Sequence, residues 1–302
     1  MLKAEFTDIR GRVYRETPLS IRMDIEEDVP ADSVNLKLKG VGFAELVTVE
    51  IFRNNTLIFS GEVDEQTEVY GNKTYTEIVA RDSCARLIDS EAYPMSFVNP
   101  SSKDIFDRYA KPFGFKVLKG ENKVYSGRYT VEKGISCYTA IKRFSKELYS
   151  AFPKCRGDEL YIEGIKSNDV LHIGKNGIPI SDMRIVKLRC NRVSRVYLKY
   201  KDGEGYNHFV SDKNAENAGI NKVRYINLAS ANSNVKDADL IFDNGRKKSF
   251  YADVVCRGFY GDALGKTVIL EDADTIFYVS SIRYTADEKG EYTKLRLLKK
   301  EE

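Results

Sequence analysis

The sequence predicts a β-rich α+β fold in three parts: an antiparallel β unit over residues 1–90, a small α+β unit over 91–178, and a second antiparallel β unit over 179–302 with a helix near 232–245. Three observations predict it. The first hundred residues alternate apolar and polar with period two, which gives a strand one buried and one exposed face. The middle holds the strongest helical stripe of the chain, from Gly134 to Phe152. The last third returns to alternation and repeats the spacing of the first.

In the first unit, Leu19, Ile21, Met23 and Ile25 alternate with polar neighbours, as do Val34, Leu36 and Leu38, and then Val47, Val49 and Ile51. Asn54-Asn55 is a turn signal that opens a hairpin. A long strand, Thr56 to Val69, turns at Gly71-Asn72 and returns over Thr74 to Ala80. Asp82 to Asp89 reads as one or two helical turns closing the unit.

In the middle unit, Ser101 with Asp104 has capping-box spacing, with Ile105, Phe106 and Tyr109 as the apolar stripe and Pro112 and Gly114 as stops. In the second helix Tyr138, Ile141, Ser145 and Leu148 share a face with Phe144 beside them, and Pro153 ends it. Leu160-Tyr-Ile162 is a short strand after a Gly157-Asp158 turn. In the last unit Val196, Leu198 and Tyr200 alternate, and polar, Asn-rich Gly203 to Ile226 reads as a long loop or hairpin. A helix from Asn232 to Asn244 is expected to end at Gly245 in the C′ position. Strands follow at Phe250–Cys256, Thr267–Leu270, Thr275–Tyr284 and Tyr292–Leu298.

The two β units read as an internal duplication. Val49 to Val268 and Thr56 to Thr275 share an offset of 219, and Tyr75 to Tyr292 lies at 217. Each copy is a short strand, a tight turn, a long strand, a glycine turn and a return strand.

Composition narrows the function. The 302 residues are 42% hydrophobic and 31% charged, the balance of a globular protein, with no apolar run of membrane-spanning length. MLKAEFTDIR has neither signal-peptide nor transit-peptide character. Cys84, Cys137, Cys155, Cys190 and Cys256 form an odd set without a CxxC pair, which favours reduced thiols made in a cytoplasm over a disulfide framework or zinc site. Residues 1–100 carry 11 basic against 18 acidic side chains, a net −7, whereas 101–160 carry 13 against 7, a net +6. Such blocks fit units with different neighbours.

No chemical constellation emerges. Gly203-Glu-Gly205 and Gly40-Val-Gly42 lack the helix of a dinucleotide fingerprint, and GxxxxGK[ST], GxSxG and HExxH are absent. His172 and His208, the only histidines, have no triad partners, and His172 reads as a strand residue. Glu26-Glu27-Asp28 and Glu271-Asp272-Asp274 read as solvated turns before metal sites. Arg246-Lys247-Lys248 reads as cations complementing a helix C-terminus before a nucleic-acid patch. No catalytic, cofactor or metal residue is assigned, and interface residues stay unassigned.

Tyr75 to Ser90 reads as a strand running into Ala80-Arg81-Asp82 and then Leu87 and Asp89, and Asn99 to Phe115 as a helix followed by Phe113-Gly114-Phe115. In these segments the chain resembles the late-control D family, the baseplate hub proteins of contractile phage tails and phage-tail-like bacteriocins, whose first domain closes with a strand ending in "(G/A)RD…L.D" before a helix and an "fGf" turn. Gly134–Leu148 resembles its second helix and Asp158–Ile162 its "g.L.i" strand. Ala252–Arg257, Gly265–Leu270, Tyr278–Tyr284 and Tyr292–Leu298 resemble its closing barrel. The family's "G…l.pG..v.l" stretch is reduced to Gly258–Gly261 and Gly265–Val268.

The resemblance implies two tail-tube-like antiparallel β-barrel domains flanking the α+β domain, and a non-enzymatic homotrimer adapting a sixfold tail tube to a threefold spike. Implied partners are the tube or a distal tube-initiator protein, a separate spike, other baseplate proteins and the tape measure protein, with DNA only passing through the bore. The implied place is the baseplate of a virion or tail-like particle assembled in the bacterial host cytoplasm. The competing readings are a tail-associated peptidoglycan or glycoside hydrolase and a β-rich carbohydrate-binding module.

Overall fold

The computed structural model describes residues 2–228, 236–271 and 275–300. The first unit contains β1 (Leu2–Asp8), β2 (Val13–Glu16), β3 (Ser20–Glu26), β4 (Ser33–Lys39), β5 (Leu46–Arg53), β6 (Thr56–Val69) and β7 (Tyr75–Asp82). α1 (Ala85–Asp89) closes the first unit, packing Leu87 into the core of the middle unit, which contains β8 (Met95–Val98), α2 (Ser102–Tyr109), β9 (Val117–Lys119), β10 (Arg128–Val131), α3 (Cys137–Tyr149), β11 (Lys154–Arg156) and β12 (Glu159–Tyr161). Then come β13 (Val170–Ile173), β14 (Ile180–Lys187), β15 (Arg195–Lys199), β16 (His208–Ser211), α4 (Lys213–Asn217), β17 (Val223–Asn227) and α5 (Lys236–Ser249). β18 (Phe250–Arg257), β19 (Thr267–Leu270), β20 (Ile276–Asp287) and β21 (Gly290–Lys299) finish the chain.

Period two does its expected work. Ile21, Met23 and Ile25 of β3 and Val34, Leu36 and Leu38 of β4 are buried, with their neighbours facing outward. Asn54 and Asn55 take φ of +50° and +64° between paired Arg53 and Thr56, the two positive dihedrals that a two-residue hairpin of matching twist requires. The capping box forms as spaced: the Asp104 amide donates to Ser101 Oγ at 3.2 Å and the Ser101 amide to Asp104 Oδ2 at 2.8 Å. α3 begins at Cys137 because the Ser136 hydroxyl caps it, and ends at left-handed Ser150, inside the range read from the apolar stripe.

Thirteen strands form one continuous sheet in the order β14-β18-β21-β20-β3-β4-β7-β6-β5-β1-β2, with β19 on β20 and β13 on β19, and the other strands form three small sheets, β10-β8, β11-β12-β9 and β16-β15-β17. The centre of the large sheet is a seam where β20 pairs antiparallel with β3, setting Ile282 opposite Ile25, Tyr284 opposite Met23 and Ala286 opposite Ile21. One hydrophobic cluster spans both β units, a second fills the middle unit, and a third lies within 193–242.

The duplication is visible in the register. The order β3-β4-β7-β6-β5-β1 is repeated as β14-β18-β21-β20-β19-β13. Leu36 faces Ile78 and Val34 faces Ala80 in the first copy, and Val254 faces Leu295 and Ala252 faces Leu297 in the second. Both long strands bulge at the same step, between Val63 and Glu65 and between Val279 and Ser281. The copies differ at the rim, where β1 runs antiparallel to β5 and β13 parallel to β19.

Two local expectations are corrected. Gly203 to Ile226 is not simply a loop or hairpin: it holds β16, α4 and β17, and β17 returns parallel to β15. The short elements carry no full period, and parallel pairing is non-local, so neither leaves a sequence signal. α5 also runs through Gly245 to Ser249 instead of stopping at the glycine. A Cβ at Gly245 would lie 2.9 Å from the Asn191 carbonyl oxygen, so this glycine permits close packing and is not a cap. The expected helix start at Asn232–Val235 lies outside the described residues.

Candidate assembly interface

The geometry offers edges before it offers pockets. Among the described residues β14 pairs only with β18, β2 only with β1 and β13 only with β19, so the sheet has three one-sided strands. β6 pairs with β5 only as far as Glu62; from Val63 to Val69 its ladder runs to β7 alone. Unpaired ladder groups at such edges are templates for another chain. β14 is strongly exposed for a strand carrying apolar residues: Met183 is 37% and Ile185 50% accessible. Sequence reading missed β14 because a register shift between Ile180 and Asp182 breaks its alternation.

A buried ionic cluster fixes the middle unit to the first β unit. Lys154, 1% exposed, places its ammonium 2.6 Å from Asp32 Oδ1 and donates to the Glu26 and Val29 carbonyls at 2.9 and 2.7 Å. Asp82 lies alongside, its Oδ1 accepting from the Cys84 amide at 2.9 Å. Burial, then the neighbouring Asp32 carboxylate, pushes the Asp82 carboxyl up to about 7. Burial also raises Asp32, against the pull of Lys154. The sequence carried no sign of this cluster, because a lysine after a proline looks like any exposed lysine.

The insertion between β14 and β18 presents a second surface. Phe209, Tyr197 and Tyr225 lie opposite one another across β16, β15 and β17. Tyr197 and Tyr225 stack at 5.5 Å, Tyr206 meets Tyr225 edge-on, and the Arg195 guanidinium sits 5.3 Å from the Phe209 ring. The opposite face, with Val196, Leu198 and Ile226, packs on Ala238 and Phe242 of α5.

The residues weighed in the sequence are dispersed. Glu26–Asp28 sits at the end of β3, where the Glu27 amide donates to the Ser280 carbonyl and Asp28 lies 3.8 Å from Lys248. Glu271 accepts from the Lys175 and Asn176 amides and so holds a tight loop; Asp272 and Asp274 lie outside the described residues. Arg246 in the last turn of α5 pairs with Asp212 and Asp243. His172 is exposed on β13 and His208 packs against Tyr200 at 5.1 Å. Four cysteines are buried and Cys190 is exposed. Among the described residues no three His, Cys, Asp or Glu side chains converge as metal donors, and no helix is long and apolar enough to cross a membrane.

Whole-chain comparison is decisive for the fold. The structure superposes on the 43 kDa tail protein of prophage MuSo2 from Shewanella oneidensis with a TM-score of 0.78, over 98% of each chain at 18% identity. The chain has the fold of phage tail proteins. A tail protein from Neisseria meningitidis matches it at a TM-score of 0.75 and 17% identity, covering 98% of this chain and 96% of that one. The tail-protein fold extends to an Escherichia coli type VI secretion component, described as structurally similar to the T4 tail proteins gp27 and gp5. That protein matches at a TM-score of 0.59 and 9% identity, over 99% of this chain and 77% of its own. No protein-family model and no curated protein sequence matches the chain. The tail-protein fold contains the strand-rich α+β architecture expected from the sequence.

Proposed function

We propose that the chain is a structural baseplate hub of a contractile phage-like tail: a homotrimer that adapts a sixfold tail tube to a threefold spike, in a phage or a phage-tail-like bacteriocin. The observation that carries this reading is the repeated strand order within one chain. Two like units per chain in three chains make six like units around an axis, a match for a sixfold ring, and closed symmetry is the usual arrangement of identical chains. The tail-protein fold supports it, as does the similarity of the Escherichia coli neighbour to gp27 and gp5.

In this reading residues 1–90 and 179–302 form the ring and the α+β unit over 91–178, with its net positive flank, lies outside and meets other baseplate proteins. The tube or its initiator sits on one side, a separate spike on the other, and the tape measure protein and DNA pass through the bore. The role is mechanical and asks for no bond chemistry. The particle is assembled in the bacterial host cytoplasm. The test is stoichiometry in the assembled particle by electron microscopy: three copies around the tail axis are expected, and six copies or an off-axis copy would overturn the reading. Purified protein is expected to leave cell-wall substrate intact.

A further inference from the structure

We infer that the ring closes by one specific strand pairing: β14 of one copy lies antiparallel to residues 65–70 of the next, with Met183 opposite Tyr70. The inference rests on the homo-oligomeric reading above and adds the interface to it.

It follows from the internal repeat. Matching β7 to β21 and β4 to β18 by their shared register makes β6 the counterpart of β20 and β14 the counterpart of β3. Within the chain, the C-terminal half of β20 bonds to β3. The corresponding half of β6 and the corresponding strand β14 are the ones whose ladders lack a second strand on that side. Beside β6 the Gln66 and Glu68 side chains hold the segment 42–46 through the Leu46 and Gly42 amides and the Phe43 carbonyl, so an incoming strand meets backbone edge next to that loop. A second copy supplies each with the partner that its counterpart already has. The repeat is thus satisfied once inside the chain and once between chains.

The equivalences also give the register. Ile21 corresponds to Met183 and Met23 to Ile185, through their partners Leu36, Val254, Val34 and Ala252. Ile21 and Met23 are 3% and 0% exposed because β20 covers them, whereas Met183 and Ile185 stand uncovered. Across the seam, Ile282, Tyr284 and Ala286 correspond to Gln66, Glu68 and Tyr70. The new joint therefore sets Gln66 against Lys187, Glu68 against Ile185 and Tyr70 against Met183. Tyr70 is 70% exposed, giving Met183 an aromatic ring to bury against.

Charge agrees with this placement. Within β6, Asp64 is already paired with Arg81, whereas Glu68 accepts from the Gly42 amide and the Tyr70 hydroxyl and has no cation beside it among the described residues. β14 brings Arg184 and Lys187, which make no ion pair among the described residues. In the proposed register Lys187 is diagonal to Glu68 on one face, within reach of a long side chain. The seam inside the chain is apolar and the joint between chains is mixed, which suits a contact made during assembly and weakened by salt.

The test is a cysteine pair in the full chain. Tyr70→Cys with Met183→Cys, in a Cys190→Ser background, places two thiols on directly opposed positions, within the Cα separation a disulfide spans. Mild oxidation is expected to give covalent species ending at a closed oligomer, in yield at least about tenfold above the shifted pair Tyr70→Cys with Ile185→Cys, a diagonal pair beyond easy disulfide reach. Sedimentation of the unmodified chain is read in parallel. A trimer that gives no preferred Tyr70–Met183 crosslink overturns this pairing and leaves the hub reading standing. A chain that stays monomeric at every concentration and gives no crosslink overturns this pairing, and the hub reading then stands or falls on the copy number in the assembled particle.

Discussion

The Lys154 ammonium and the Asp32 carboxylate sit 2.6 Å apart with the lysine sealed from solvent, joining the middle unit to the first β unit through one charge pair. The same ammonium holds the Glu26 and Val29 carbonyls, so the turn leaving β3 is shaped by a residue more than a hundred positions downstream.

Lys154→Met is therefore expected to cost about 3–5 kcal/mol, because it strands buried Asp32 beside Asp82 and leaves two carbonyls without a donor. Urea unfolding of purified protein measures it. A loss below about 1 kcal/mol would mean that water replaces the ammonium and that the junction is wet.

Asp82 supplies a pH prediction. Its folded value, about 7, lies above the ordinary 3.8, so the folded state holds a proton that the unfolded chain releases. The penalty is absent below about pH 4, grows between the two values and is complete above about 7. Asp82→Asn keeps the acceptor for the Cys84 amide and removes this penalty. The stability difference, variant minus parent, should rise from pH 5 to pH 8 by on the order of 2 kcal/mol. A difference that is flat across that range would contradict the assignment.

Gly245→Ala should invert the usual rule. In an open helix the exchange stabilises by about 1 kcal/mol. Here the added methyl meets the Asn191 carbonyl at 2.9 Å, so a loss of about 1–2 kcal/mol is expected instead. Thermal unfolding decides the sign, and a raised melting temperature would refute the packing role.

Met23→Ala probes the seam. The side chain is fully buried opposite Tyr284, and its truncation should cost about 2–5 kcal/mol. Because one hydrophobic cluster spans both β units, they should still unfold together with the seam weakened. Two separated transitions monitored by near-UV absorption of tyrosine would show that the units are energetically independent.

Local features were legible in the sequence where a signal fits inside one element. The Asn54-Asn55 turn, the Ser101–Asp104 box and the alternation around Met23 each state their own geometry. Partners were not legible. Alternation at Met23 tells which face is buried and says nothing of Tyr284, some 260 residues away. β17 found its place through a parallel partner, Gly245 through a carbonyl of a distant turn, and Lys154 through a cavity made by another unit. Edges were readable as a hazard of two β units, but which strands would be left open required the sheet order.

The pairing of β3 with β20 also imposes an order on synthesis. β3 leaves the ribosome early, and its partner follows only after 250 further residues, from Glu26 to Ile276. At bacterial elongation rates that interval is roughly 10–50 s. Throughout it the nascent first unit holds Ile21, Met23 and Ile25 beside an open backbone edge, on polysomes where identical chains are neighbours. The late strand that finishes the second unit is thus also the one that silences the first, and a chain truncated before β20 would carry a permanently adhesive edge.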